Sequence, residues 1–182
     1  VGRSVVGGVA GAGGGIGHVR VLHLGERARS GRVADGHAQA GVRGEGVQRG
    51  RGLLHADNTV WFTTKGDNRV WQLNVADNTY ELAYDDNLVN PGPAPLTGVD
   101  NITGSSFGDL YVAEDGGNME ICVITPDDKI STFLRLNGHG SSEITGPAFN
   151  PAGTHLYFSS QRGTSGSSSG GVTYRVTGPF RR

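Results

Sequence analysis

Residues 111–121, YVAEDGGNMEI, align without a gap to residues 61–71, WFTTKGDNRVW, fifty positions earlier. The same offset carries Thr79–Leu82 onto Lys129–Thr132. A third copy begins at Leu156-Tyr157-Phe158-Ser159-Ser160-Gln161, forty-six positions beyond the second, and ends in Val172–Val176 after a Gly/Ser insertion. Within the second copy, Leu110–Ala113 reads as a short half-buried strand between Gly108-Asp109 and Gly116-Gly117, because apolar runs bounded by turn residues favour extended backbone. Each copy has room for three or four such strands, with turns at sites such as Asp77-Asn78 and Pro126-Asp127-Asp128. Strands and turns repeating every 40 to 50 residues or so are the signature of a β-propeller blade. The expected fold is therefore all-β, a partial propeller of about three blades, fewer than the roughly four that close a ring. Trp61, Tyr111 and Tyr157 recur at the blade period as packing residues.

Superposing the copies sets Thr64, Glu114 and Ser160 at one position and Lys65, Asp115 and Gln161 at the next. Equivalent strand ends in successive blades surround one end of a common axis, so these dissimilar polar groups are aimed at one place. Glu114 and Asp115 leave the sheet beside two glycines that allow a sharp turn. Asp100 stands in an upstream stretch that a folded sheet can return to the same end. Hard cations such as calcium take several carboxylate and carbonyl oxygens, and this acidic group is the candidate metal site.

The first fifty-two residues use a different vocabulary. They hold no Phe, Tyr, Trp, Pro, Thr, Asn or Lys, and their eight Arg and three acidic residues give a net +5, against −6 for residues 53–182. Such a segment lacks the apolar surface needed to offset the entropy of ordering. Residues 1–52 are expected to be disordered, or a stretch read in the wrong frame, ahead of a blade domain over residues 53–182. Gly11–Gly17, GAGGGIG, imitates a dinucleotide-binding turn, but the surrounding βαβ pattern is missing and no Tyr has a Lys four positions on. The scattered Arg residues have no interleaved aromatics for base stacking, so no nucleic-acid partner is expected. No apolar run reaches the roughly 18 residues of a membrane span, and the N-terminus shows no signal-peptide pattern. The one cysteine, Cys122, excludes an internal disulfide.

From residue 61 onward the chain resembles the PhoX-like alkaline phosphatases and their uncharacterised bacterial relatives. The resemblance lies in WFTTKGDNRVW (61–71), PLTGVDNIT (95–103), GDLYVAEDGGNMEICVITPD (108–127), EITGPAFNPAGTHLYFSSQRG (143–163) and VTGPF (176–180). It implies a six-bladed propeller of which this chain is the C-terminal part, exported to the periplasm or beyond and acting on small phosphate esters as a monomer. It also implies a central site of calcium and, in characterised members, iron. Carried over residue by residue, Glu114, Asp115 and Glu143 become the first calcium ligands and Asp100 the next, while Lys65, Gln161 and Arg162 become contacts to substrate phosphate. The family's iron-binding cysteine has no counterpart here, and Cys122, mid-strand, does not take its place. Without the earlier blades the chain alone is expected to have little phosphatase activity. Two other readings stand beside this one: a lactonase-type propeller hydrolase using one axial divalent cation, and a propeller that binds without catalysis.

Overall fold

The computed structural model describes residues 17–18, 49–89 and 92–181. Three antiparallel sheets account for nearly all of it, and the helical content is limited to two short 3-10 turns, Asp86–Leu88 and Ser168–Gly170. The first sheet is a meander of β2 (Gly50–Ala56), β3 (Thr59–Thr64), β4 (Arg69–Asn74) and β5 (Thr79–Asp85). A second meander follows: β6 (Val99–Gly104), β7 (Leu110–Glu114), β8 (Glu120–Ile124) and β9 (Lys129–Arg135), with the two-residue β1 (Gly17–His18) paired to β9. The third has three strands, β10 (Ile144–Phe149), β11 (His155–Ser160) and β12 (Val172–Thr177). The chain is thus all-β, and among the described residues no ring is closed.

Turn chemistry explains the meanders. Asp57 and Asn58 both take positive φ, 48° and 61°, the conformation that a two-residue hairpin requires and that Asn and Asp tolerate best. Asn78 and Asp128 sit in the left-handed region at equivalent places in the first two sheets. The fifty-residue offset holds for β3 onto β7 and β5 onto β9. It becomes fifty-one for β4 onto β8, because the turn 115–119 has one residue more than 65–68 and the strand after it one residue less.

The first strands of the three sheets lie side by side, with β6 between β2 and β10. Two cores fill the spaces between sheets. One gathers Trp61 and Val70 of the first sheet with Val112, Cys122 and Ile130 of the second. The other gathers Tyr111 and Ile121 of the second with Leu156 and Phe158 of the third. Each first strand breaks register near its start, between Gly50 and Leu53, Val99 and Ile102, and Thr145 and Ala148. Bulges of this kind re-aim side chains at the ends of sheets. The sheet begins at Gly50, three residues ahead of the expected boundary, and Gly52 is indispensable there: a Cβ on it would come within 2.7 Å of Ile102 N and 2.8 Å of Asp100 O. The expectation for residues 1–52 otherwise concerns 1–16 and 19–48, which lie outside the described residues.

Candidate metal centre

One backbone hydrogen bond is repeated in all three sheets: Lys65 N donates to Arg49 O (3.2 Å), Asp115 N to Gly98 O (2.9 Å), and Gln161 N to Glu143 O (2.9 Å). These bonds fix residues 65, 115 and 161, each just past the second strand of its sheet, against the residues leading into the first strands. All therefore lie at the same end of the molecule. Asp100 joins them from the bulge of β6, with 3% of its surface exposed.

Asp100, Asp115 and Glu143 each bring a carboxylate oxygen to a common point, the three atoms lying within 4.8 Å of one another. Asp115 and Glu143 are half-buried, so the group opens to solvent on one side. Lys65 reaches into it. Its ammonium is ion-paired with Asp115 and stands 3.7 Å from Asp100 Oδ2. Several contacts hold the centre in shape. Thr63 Oγ1 donates to the carbonyl of Asp100, Asn101 Nδ2 to Asp100 Oδ1 (3.0 Å), and Gly146 N to Asn101 Oδ1 (2.8 Å), so hydrogen bonds connect the bulges of adjacent sheets.

Glu114 is not part of this group. It is fully buried, its Oε1 accepting from Thr97 N (3.0 Å) and its Oε2 from Glu120 N (2.9 Å). Burial raises the pKa of its carboxyl, and the two N–H donors offset part of that rise. The cause of its separation from Asp115 is the pleat, which sends successive side chains to opposite sides. Thr64 and Ser160, at the same repeat position, also turn into their own sheets: Thr64 Oγ1 bonds Asp67 and accepts from Trp71 Nε1 (3.1 Å), and Ser160 Oγ meets Ser142 Oγ (2.8 Å). Of the three expected phosphate contacts, Lys65 touches the carboxylates. Gln161 and Arg162 instead pair with each other (2.5 Å), and Arg162 Nε donates to Ser141 O (2.8 Å).

Sequence reasoning had no signal for a second polar cluster. His139 reads as a loop residue, yet it is 6% exposed, with Nδ1 2.8 Å from Ser160 Oγ and Nε2 3.2 Å from Tyr174 OH. Ser160 has no exposed surface and its neighbours are hydroxyls rather than a carboxylate, so the group braces the third sheet instead of forming an accessible nucleophile. Cys122 is buried and its thiol pKa is pushed up by that burial, the reverse of a reactive thiolate. A groove of about 550 Å³ between Phe107, Thr125, Pro126 and Arg181 lies at the other end of the second sheet. Its Asp127 and Lys129 pair at 2.6 Å, and Arg181 is 3.0 Å from buried Asp109, so its charges are already matched.

Three carboxylates around one point suit a hard divalent cation, with Lys65 moving aside toward an anion. No protein-family model and no curated protein matches the chain. Among solved structures it is similar to a protein of unknown function from Bacteroides thetaiotaomicron, at 17% identity and a TM-score of 0.50. The likeness covers 64% of this chain and 28% of that one. It bears on the fold alone. In the described residues no helix is long and apolar enough to cross a membrane.

Proposed function

We propose that the three sheets are blades of a β-propeller and that the chain contributes the calcium site of a PhoX-like phosphomonoesterase. The observation that carries this reading is the convergence of Asp100, Asp115 and Glu143 at one end of the side-by-side first strands. Support comes from two directions. The residues lie in the VDN, AEDGG and EITG runs in which the chain resembles that family, and a set of carboxylate oxygens matches calcium's preference for hard donors.

In this reading Asp100, Asp115 and Glu143 hold the cation, with Asp100 anchored on its bulge by Asn101 and Thr63. Bound calcium supplies charge neutralisation at the phosphate oxygens. Lys65, released from Asp115, donates to a non-bridging oxygen and offsets charge that grows in the transition state. Arg162 reaches phosphate only by giving up Gln161 and Ser141, so its part is secondary. A thiolate for iron is missing from the site, and calcium is the cofactor proposed. The resemblance also places such a protein in the periplasm or outside the cell.

Three carboxylates make an incomplete cage for a cation that takes 6–8 oxygens, so slow turnover is expected of this chain by itself. The test is binding of inorganic phosphate, measured with and without calcium. Phosphate retained with calcium and lost in Asp115→Asn supports the reading. Phosphate binding indifferent to calcium overturns it.

A further inference from the structure

Each sheet offers one aromatic side chain to the next. Trp61 enters the core shared with the second sheet, and Tyr111, fifty positions on, enters the core shared with the third and is 3% exposed. Tyr157 holds the same position in the third sheet and is 39% exposed, with no fourth sheet among the described residues to receive it. The complementary vacancy lies at the other end of the series. Register places Leu53, Phe62, Trp71 and Leu82 in one row on the face of the first sheet turned away from the second, with Val60 and Leu73 in the row beside it. Equivalent faces of the second and third sheets hold Val112 and Phe158, both buried against the preceding sheet. On the first sheet Leu53 is left 69% exposed.

The two junctions inside the chain are built alike: the aromatic face of one sheet packs on the opposite face of the next. A repeated head-to-tail contact of this kind closes into a ring when its rotation allows. Three sheets from each of two copies give six, within the range of about 4 to 8 blades that propellers use. We propose that two copies of this chain join head to tail, Tyr157 of each against the Leu53–Phe62 face of the other, to close one six-sheet ring.

Charge favours the same occupant. Arg51 sits on the bulge of β2 at the place Asp100 takes in the second sheet, and Arg49 at the place of Gly98 and Glu143. The new junction brings these exposed Arg residues of one copy toward Glu143 of the other. Ser159 holds the position of Thr63, whose hydroxyl already bonds across a junction to the Asp100 carbonyl, and would bond Arg51 O in the same way. The inference rests on the reading of the sheets as blades. It also bears on the candidate site, because the two-fold axis of such a ring sets a second group of Asp100, Asp115 and Glu143 around the same centre. A dimer replaces the monomer expected from the sequence.

The experiment is sedimentation or native mass measurement of the whole 182-residue chain, with Leu53→Asp and Tyr157→Asp as variants; both side chains are exposed, so neither change disturbs a core. The expected result is a particle of twice 19.0 kDa that falls to a single chain in each variant. Mixing the two variants should restore some dimer, because one intact junction can form between them, whereas a like-on-like interface would gain nothing from mixing. A single chain at all concentrations, as when residues 1–48 cover the face, overturns the proposal. So does a dimer that both variants leave intact, or an open series of larger masses. Calcium titration of the same samples reports separately on the functional reading: a monomer that binds calcium refutes the ring alone, and a dimer that does not refutes the metal site alone.

Discussion

Replacing Lys65 with Met removes a cation from the place where calcium is proposed to bind. Its ammonium is ion-paired with Asp115 and lies 3.7 Å from Asp100 Oδ2, so a metal on these carboxylates meets a like charge at about 4 Å or displaces it. At that distance the repulsion between a single and a double charge is about 2 kcal/mol in bulk water and roughly 8 kcal/mol at an effective dielectric constant of about 20. The Lys65 side chain is 27% exposed and mobile enough to retreat, which lowers the figure to about 1–3 kcal/mol, or roughly 5- to 150-fold in affinity. Calorimetric titration with calcium should therefore show tighter binding to Lys65→Met than to the parent. Without calcium the variant should be less stable, since Asp100 is 4% exposed at its side chain and loses its counter-ion. Added calcium should then raise its melting temperature more than it raises the parent's. Equal or weaker calcium binding in Lys65→Met would refute the idea that lysine and metal share these oxygens.

Glu114→Gln should change calcium affinity less than about threefold while altering stability by about 1–2 kcal/mol, because its oxygens serve Thr97 and Glu120 N–H groups rather than the metal; denaturant titration and calorimetry separate the two effects. Gly52→Ala should destabilise by about 1–3 kcal/mol and weaken calcium binding together, since the new methyl meets backbone of the strand that carries Asp100. Burial of Asp85 works against its charge but is outweighed by hydrogen bonds from Arg69 and Asn87, so its pKa is lowered. Its contribution to stability is then present above the ordinary carboxylate pKa of about 3.9 and lost as pH falls through the lower folded value; Asp85→Asn should flatten that acid limb of the stability curve.

The architecture was legible where side chains repeat. Tyr111 after Trp61, and the turns at Asp77-Asn78 and Pro126–Asp128, mark strands and loops that the structure contains. Asp115, Asp100 and Glu143 were legible as a set because each lies beside a strand end, and strand ends of stacked repeats meet. Glu114 was misread for a reason internal to β-structure. Two neighbouring carboxylates at the end of a strand look alike in sequence, while the pleat gives one to the site and the other to the sheet. The bulge that turns Asp100 inward, the Asn101 to Gly146 bond and the burial of His139 between Ser160 and Tyr174 depend on partners 45, 21 and 35 residues distant in the chain, and local pattern carries no trace of them. The start of the first sheet at Gly50 was hidden by composition: Gly50-Arg51-Gly52 resembles the segment before it, and it is ordered by pairing with β3 rather than by propensity.

The most direct test of the metal centre is a calcium titration of the 182-residue chain beside Asp100→Asn, Asp115→Asn and Glu143→Gln. The predicted result is saturable binding by the parent that each substitution weakens by about tenfold or more, roughly 1.4 kcal/mol per lost charge. Absence of saturable binding in the parent, or binding unchanged in all three variants, would contradict it.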